Sequence, residues 1–381
     1  MTTSSSAIAV LGLGRMGTAI AHRLDEQGWT VTGWTRSGGT EPSDAVRRQP
    51  VVVLALFDGP ACAQVIERCG SALAPDTVVV NTTTMSPDEA TALEKTVHAT
   101  GAGYVHAPVM GSVPAVLSGG LRILVGASAP TPPAADALLA VLGEVVPAGG
   151  VAEAAALKLV SNSALGSGIL ALRDARRYAG ELGVPPDAAL DVLERGALGR
   201  LVEGKRDAAG PAHFTAAALA KDLTLLAAET SAARSLAARV NAAVDSGAVA
   251  EDADVFALTM PTDDVAAPDE VLEPLRAYVR GHATGDPAHF RKAFLPTAHV
   301  EGVRDGGFVS WSLNDYCGLF SGRPADDEAE RRRRIESVQV EGTVGTATMT
   351  LWHGVDTFTD VFLLVRTDAG WRIANKVYDR C

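Results

Sequence analysis

The sequence has little of what marks secreted, metal-binding or nucleic-acid-binding proteins. It has four cysteines in 381 residues, with no CxxC pair and no metal-site spacing. Lys and Arg number 33 against 45 Asp and Glu, an acidic balance that disfavours nucleic acid. The start MTTSSS lacks a basic signal region, and apolar runs such as VVVLALF are shorter than a membrane span. We therefore expect a cytoplasmic protein with reduced thiols that binds neither nucleic acid nor membranes.

The spacing of apolar residues predicts three domains and a linker. Over residues 1–150, apolar strands from AIAVLGL to LRILVGA alternate with amphipathic helices, as in an α/β Rossmann domain whose parallel sheet is covered on both faces. Residues 151–259 predict an all-α helical domain that opens with a long helix ending near Gly183. Residues 260–269 are polar and proline-containing, which predicts a linker. Residues 270–381 predict an α+β domain with an antiparallel sheet and a hairpin at Asp305–Gly307.

A run of four arginines, Arg331–Arg334, follows the acidic residues DDEAE. Charges of opposite sign so close in sequence largely neutralise one another. We interpret the run as a solvated helix end rather than an anion site.

The stretch AIAVLGLGRMGTAIAHRL places three glycines between a predicted strand and a predicted helix. In that context Gly12 permits a tight turn, Gly14 lets the backbone approach a pyrophosphate, and Gly17 lets the helix pack closely on the strand. The helix N-terminus would supply free N–H groups to the phosphates. We therefore predict a dinucleotide site, with a plain glycine-rich turn as the alternative.

The end of the second predicted strand distinguishes the two nicotinamide cofactors. An NAD site usually has an acidic residue there, which binds the ribose hydroxyls. This chain has Thr35-Arg36-Ser37 instead. Arg36 could pair with a 2′-phosphate and stack on adenine, so we expect NADPH (NADP+) as the cofactor. The alternative is that Arg36 is a solvated loop residue.

Five ordered motifs resemble the β-hydroxyacid dehydrogenase family, whose superfamily also holds 6-phosphogluconate dehydrogenase and the imine reductases. They are GLGRMG with WTRS, NTTTMSP, HAPVMGSVPAVLSGGLRILVGA, the pair Lys158 and Asn162, and AKDLTLL. The resemblance runs from about residue 7 to residue 258. It implies an oxidoreductase that acts on a small-molecule substrate. The long, apolar helix further suggests a homodimer whose helical domains pack together.

The resemblance implies that Lys158 and Asn162 are catalytic. Spaced K-x-x-x-N, they share one face of a helix. A lysine can protonate a carbonyl oxygen as hydride arrives at the carbon, and Asn162 can hold the same oxygen or a neighbouring hydroxyl. Burial in AAALKLV should lower the pKa of Lys158. The alternative is a lysine that snorkels from a surface helix.

The resemblance also implies residues that bind substrate and cofactor. The substrate residues are Met110, Gly111, Ser112 and Lys221, with a salt bridge to a helix neighbour as the alternative for Lys221. Met110 stands where the family's APVSGG has a serine, which weakens the case for a small 3-hydroxy acid and makes a larger carbonyl or an imine plausible. The cofactor residues are Gly12, Leu13, Gly14, Arg15, Met16, Gly17, Thr35, Arg36, Ser37, Leu56, Phe57, Thr84 and Lys221.

The last block resembles the lumazine-binding-like members of the nuclear transport factor 2-like fold, through YVRGHATGDPAHFRKAFLPTAHV, SLNDY and DVFLLVRTDAGWRIANKVY. That fold is a cone of helices on a curved sheet, with a pocket and often a dimer face. The polar or aromatic pocket candidates are His299, Trp311, Asp315, Tyr316 and His353, and nothing in their spacing specifies a reaction. We favour a dimerisation or scaffolding role for this domain, with a ligand pocket and a second active site as the alternatives.

Together these patterns predict an NADPH-dependent oxidoreductase of the β-hydroxyacid dehydrogenase type, in which Lys158 is the general acid for carbonyl reduction. Two alternatives stay open. One is an imine reductase that acts on C=N, although imine reductases of this fold usually lack the lysine. The other is a cofactor-binding scaffold or sensor whose C-terminal pocket holds the ligand.

Overall fold

The computed structural model describes residues 7–203, 206, 212–245, 249–259, 267–304 and 306–380. These residues form two compact units. The first unit comprises the described residues of Met1–Leu172, Leu190–Ala233 and Asp252–Phe256, and the second those of Arg173–Ala189, Arg234–Glu251 and Ala257–Cys381. Most of the predicted linker, 260–266, lies outside the described residues, and the three predicted domain ranges stay a prediction.

The first unit begins with a five-stranded parallel sheet in the order β2-β1-β3-β4-β5, which confirms the predicted Rossmann-type fold. Strands β3 and β4 are buried along their whole length, as parallel strands covered by helices are. The carboxyl ends of β1, β3 and β4 therefore meet at one edge, where ligands of open α/β sheets bind. The elements are β1 (Ala7–Leu11), α1 (Arg15–Glu26), β2 (Thr30–Trp34), α2 (Pro42–Val46), β3 (Val51–Leu54), α3 (Gly59–Cys69), β4 (Val78–Asn81), α4 (Pro87–His98) and β5 (Gly103–His106).

A separate three-stranded sheet follows, in the order β6-β7-β8. Its elements are β6 (Val109–Met110), α5 (Val113–Ser118), β7 (Leu121–Val125), α6 (Pro133–Leu142) and β8 (Gly143–Pro147). The expectation of one parallel sheet up to LRILVGA is wrong for β7, which pairs antiparallel with β6. The link from Met110 to Leu121 is too short for a parallel crossover, which takes about a dozen residues or more. An antiparallel bridge between His106 and Gly126 joins this sheet to the first.

The middle of the chain is helical, as predicted. Its helices are α7 (Val151–Glu181), α8 (Pro186–Leu193), α9 (Gly199–Val202), α10 (Ala216–Glu229) and α11 (Arg234–Asp245). The predicted long helix is confirmed as α7, which has 31 residues, and Gly183 beyond its end has a φ of 74°. Among the described residues α7 is the one helix long and apolar enough to cross a membrane. Its Asn162 is 3% exposed and bonded to Asp222 of α10, as in the core helix of a folded domain.

The second unit carries a six-stranded sheet in the order β10-β9-β14-β13-β12-β11. All neighbours are antiparallel except β14 and β9, which confirms the predicted α+β character. Strands β9 and β10 pair as the predicted hairpin requires, and Asp305 of its turn lies outside the described residues. Tyr278 of α12 packs edge-on against Phe362 of β13 in the core. The elements are α12 (Asp269–Thr284), α13 (Pro287–Ala293), β9 (His299–Arg304), β10 (Gly307–Ser312), α14 (Leu313–Cys317), β11 (Arg332–Glu341), β12 (Val344–His353), β13 (Asp356–Thr367) and β14 (Gly370–Arg380).

The interpretation as a helix end holds for Arg331, the C-cap of a 3-10 helix at Glu328–Glu330, and is wrong for the other three arginines. Those three open the edge strand β11, which begins at Arg332. Arg333 donates two hydrogen bonds to Glu328, at 2.6 and 2.8 Å, and Arg331 pairs with Asp327 at 2.8 Å. The expected neutralisation by the preceding acidic residues is therefore confirmed, and it allows the Arg333 side chain to be only 5% exposed.

Candidate active site

The glycine loop after β1 leaves open space at one glycine and is tightly packed at the other two. A Cβ on Gly12, whose φ is 102°, would lie 2.5 Å from the carbonyl oxygen of Ala55. A Cβ on Gly17 would lie 1.9 Å from the carbonyl oxygen of Gly12, because α1 packs directly on the loop. Gly14, the N-cap of α1, has nothing within 4 Å of its Cβ position. The first N–H groups of α1 have no partners within the helix, so the loop can bind a phosphate group there.

A cavity of about 390 Å³ lies at the carboxyl edge of the parallel sheet, entirely within the first unit. The predicted residues on its wall are Gly14, Arg15, Met16, Leu56, Phe57, Thr84, Gly111, Lys158 and Lys221. The predicted residues outside its wall are Gly12, Leu13, Gly17, Thr35, Arg36, Ser37, Met110, Ser112 and Asn162. The sequence analysis missed the other wall residues, which are Ala55, Thr82, Thr83, Val109, His213, Phe214, Thr215, Ala218 and Asp222.

Several predicted residues outside the wall shape its surroundings. The side chain of Leu13 packs against Gly33 of β2, so closely that a Cβ on Gly33 would lie 2.6 Å from Leu13 Cδ1. Arg36 is exposed in the turn after β2. The sulfur of Met110 accepts a weak hydrogen bond from Ser161 at 3.4 Å, and its side chain packs against a small apolar cluster that includes Leu124. Ser112 is the N-cap of α5.

Lys158 is the first of three hydrogen-bonded polar side chains that link α7 to α10. Its Nζ donates to Oδ1 of Asn162 at 3.0 Å, and Nδ2 of Asn162 donates to Oδ2 of Asp222 at 2.5 Å. Burial lowers the pKa of Lys158 as predicted; the Asp222 carboxylate opposes this shift, and the positive charge of Lys221 adds to it. A lysine with a lowered pKa can exchange a proton closer to neutral pH than an exposed lysine can.

Lys221 lines the cavity and forms a salt bridge with its helix neighbour Asp222, while its role in binding substrate or cofactor stays a prediction. Its Nζ lies 2.6 Å from Oδ1 of the neighbouring Asp222 and donates to the carbonyl oxygen of Thr84 at 3.1 Å. It also lies 5.5 Å from the ring centre of Phe57. These contacts tie α10 to the loops that follow β3 and β4.

The loop after β4 is held by buried polar groups beneath the cavity. Oδ1 of Asn81 accepts from the Thr83 backbone N–H at 3.0 Å, and Nδ2 of Asn81 donates to the Tyr104 hydroxyl at 2.9 Å. The Thr83 hydroxyl accepts from the backbone N–H of Leu56 at 3.0 Å. Burial raises the pKa of the nearby Cys62 thiol to about 12, so the thiol stays protonated at neutral pH.

Comparison with protein families assigns both ends of the chain. Residues 7–150 match the NAD binding domain of 6-phosphogluconate dehydrogenase. Residues 266–379 match a putative lumazine-binding family. Over residues 7–150 this chain is therefore similar to dehydrogenases of the 6-phosphogluconate dehydrogenase type. It combines an NAD(P)-binding domain with a lumazine-binding-like domain, and both predicted resemblances are thereby confirmed.

Individual relatives agree with this assignment. An uncharacterized oxidoreductase of Synechocystis is 27% identical over 214 residues, which cover 51% of this chain and 73% of that protein. The mitochondrial 3-hydroxyisobutyrate dehydrogenase of Drosophila melanogaster is 26% identical over 210 residues, which cover 51% of this chain and 65% of that one. The structure of Mycobacterium tuberculosis 3-hydroxyisobutyrate dehydrogenase, 22% identical, superposes with a TM-score of 0.58 over 67% of this chain and 98% of that chain. At that identity the superposition shows a shared fold alone.

Proposed function

We propose that this oxidoreductase uses NADPH to reduce a carbonyl group, with Lys158 as the general acid. One observation carries the proposal: Lys158 is fixed by Asn162 on the wall of the same cavity that the Gly14 loop forms. The proposed proton donor and the proposed cofactor loop thus border one cavity. A lysine that snorkels from a surface helix would not be held in this way.

The residues around the glycine loop fit a dinucleotide. The open position of Gly14 and the N-terminus of α1 would hold the pyrophosphate, and the exposed Arg36 would meet a 2′-phosphate. Bound NADPH would supply the hydride. The absence of a carboxylate among Trp34, Thr35, Arg36 and Ser37 supports NADPH over NADH.

Lys158 would act on the substrate oxygen. Its ammonium group has three N–H donors, of which Asn162 takes one and thereby orients the others. As the carbonyl carbon is reduced, negative charge develops on the oxygen, and a proton from Lys158 neutralises it. In the reverse direction the neutral amine would take that proton back. Asn162 lies behind Lys158, so we assign it the role of a positioning residue.

The charges around Lys158 favour this role. Lys158 and Lys221 carry two positive charges against the single carboxylate of Asp222. The remaining positive charge would stabilise an oxyanion in the cavity. Met110 does not line the cavity and packs against the apolar cluster that includes Leu124. No hydroxyl stands at this position to bind a substrate carboxylate, so we propose a carbonyl substrate without specifying a 3-hydroxy acid.

A substrate panel tests the proposal. NADPH and NADH oxidation would be measured with aldehydes, keto acids and cyclic imines. The expected result is turnover of a carbonyl compound with NADPH preferred over NADH. Turnover of imines alone would favour the imine reductase. No turnover on the whole panel, with intact NADPH binding, would favour the scaffold or sensor.

We also propose that the protein is a cytoplasmic homodimer. Support for the dimer comes from apolar side chains that α7 exposes, since Leu157 is 46% and Val160 is 54% exposed. Light scattering of the wild type and of Val160→Glu would test it. A dimeric wild type and a monomeric variant are expected, whereas a monomeric wild type would contradict the proposal.

A further inference from the structure

The second unit holds a cavity of its own, of about 290 Å³, lined by α12 and the six-stranded sheet. Much of its wall is aromatic, and the rings of Trp311 and Tyr378 stack there at 6.1 Å with an angle of 7°. Of the pocket candidates taken from the sequence, Trp311, Tyr316 and His353 line it, whereas His299 and Asp315 do not. Stacked, nearly parallel rings leave a surface suited to flat molecules.

A buried ion pair forms part of the cavity wall. Nζ of Lys376 lies 2.8 Å from Oδ1 of Asp360 and donates to the Tyr278 hydroxyl at 2.6 Å. Tyr278 donates in turn to Oδ2 of Asp360 at 2.6 Å. Each of the three residues is at most 5% exposed. Apolar side chains of similar volume would usually stabilise a fold as well as such a pair does, so its place on a cavity wall points to a ligand.

The ammonium group of Lys376 can still serve a ligand. It has three N–H donors, of which Asp360 and Tyr278 take two. The third can be donated into the cavity that Lys376 lines. A ligand oxygen that accepts there gains a charge-assisted hydrogen bond at a site screened from water.

His353 supplies a second polar group on the same cavity wall. Its buried Nε2 has no hydrogen-bond partner, and burial lowers the pKa of His353 to about 4, so the ring is neutral at pH 7. The neighbouring His282 is also kept neutral by burial, which lowers its pKa, and its Nε2 bonds to the Tyr316 hydroxyl at 2.9 Å. A buried polar atom without a partner is uncommon in a folded protein and marks a place for a ligand group.

We propose that this cavity binds a flat, uncharged ring compound through a carbonyl oxygen that accepts a hydrogen bond from Lys376. The ring would lie among the aromatic side chains, with His353 as a second polar contact. An uncharged ligand fits because the charge of Lys376 is balanced by Asp360 and that of Arg380 by Asp356 at 2.9 Å, while the third cation on the wall, Arg304, is exposed to solvent. The site lies within the second unit and does not rest on the proposed reductase activity.

Two bicyclic probes, one with a carbonyl group and one without it, test the inference. Calorimetric titration of the full chain, without NADPH, would compare 1-tetralone with tetralin, which lacks the carbonyl. We expect 1-tetralone to bind about tenfold or more tightly, the range for a hydrogen bond to a charged donor. Equal affinities, or no saturable binding of either probe, would overturn the proposal.

Matched variants locate the binding. Leu319→Trp fills the cavity from a 56% exposed position, whereas Leu363→Trp makes the same change at a 51% exposed position outside the cavity wall. Only Leu319→Trp should abolish 1-tetralone binding. Lys376→Met combined with Asp360→Leu leaves no unpaired charge and should make the two probes bind alike. The assignment to this cavity would be refuted if the double variant still bound 1-tetralone more tightly than tetralin by the wild-type factor. Unchanged 1-tetralone binding in Leu319→Trp would also refute it.

Discussion

Lys158 and Asn162 lie one helical turn apart on α7, and the lysine donates a 3.0 Å hydrogen bond to the asparagine oxygen. The orientation of the amide is fixed from its other side, because its nitrogen donates to Asp222 on α10 and a carboxylate only accepts. The position of the proposed proton donor therefore depends on a contact between two helices, and it can be tested from either helix.

The pH profile should respond in opposite directions to two substitutions beside Lys158. Asp222→Asn removes the negative charge that raises the pKa of Lys158, so the alkaline limb of kcat should move to lower pH. Lys221→Met removes a positive charge that lowers this pKa, so the same limb should move to higher pH. Reduction needs protonated Lys158 and fails above its pKa. Shifts of the same sign in both variants would contradict the electrostatic role.

The glycine loop offers a matched pair of alanine substitutions. Gly14→Ala meets no protein atom, so the melting temperature should be unchanged while the Kd for NADPH rises by about tenfold or more, because the methyl group obstructs the pyrophosphate. Gly17→Ala would push into the Gly12 carbonyl and should cost about 1–3 kcal/mol of stability. Fluorescence titration and thermal melting separate the two effects. Loss of stability in Gly14→Ala with unaltered NADPH binding would be evidence against a dinucleotide loop.

Arg36→Ala tests the choice of cofactor. Loss of a charge-assisted contact to the 2′-phosphate should weaken NADPH binding about 10- to 100-fold and leave NADH binding unchanged. Arg47→Ala, which removes an arginine on the same domain whose side chain is 61% exposed, is the control and should change neither affinity. If Arg36→Ala lost the same factor of affinity for NADPH and for NADH, Arg36 would not bind the 2′-phosphate.

The buried pair of the second unit makes a prediction about stability. Lys376→Met leaves Asp360 charged and buried without its partner, and should lower the free energy of unfolding by about 3–5 kcal/mol. Adding Asp360→Leu should restore most of that loss, because no charge is then left buried. Urea unfolding of both variants measures the difference. If the double variant is no more stable than Lys376→Met, the unpaired charge of Asp360 is not the cause of the lost stability.

Local patterns in the sequence were enough to predict the strands, the long helix and the glycine loop. Burial of β3 and β4 follows from their Val and Leu content, and the K-x-x-x-N spacing places Lys158 and Asn162 on one helix face. These features depend on periods of two to four residues along the chain. They can be read without knowledge of tertiary contacts.

Other features depend on residues far apart in the chain. Asp222 reaches Asn162 across 60 positions, and Lys376 reaches Tyr278 across 98, so neither contact leaves a local signal. Asp222 follows Lys221 within the AKDLTLL motif, which was the one available hint for that residue. Three of the four arginines in the run were misinterpreted because their charge pattern suits a helix end and an edge strand equally well.

The kcat of Lys158→Ala for carbonyl reduction tests the proposed mechanism most directly. It would be measured at saturating NADPH beside Lys95→Ala, a control that removes an exposed lysine of α4. We predict a fall of about 10²- to 10⁴-fold in Lys158→Ala, with NADPH affinity and melting temperature retained, and no change in Lys95→Ala. Carbonyl reduction at the wild-type rate in Lys158→Ala, or imine reduction that survives the substitution, would contradict Lys158 as the proton donor.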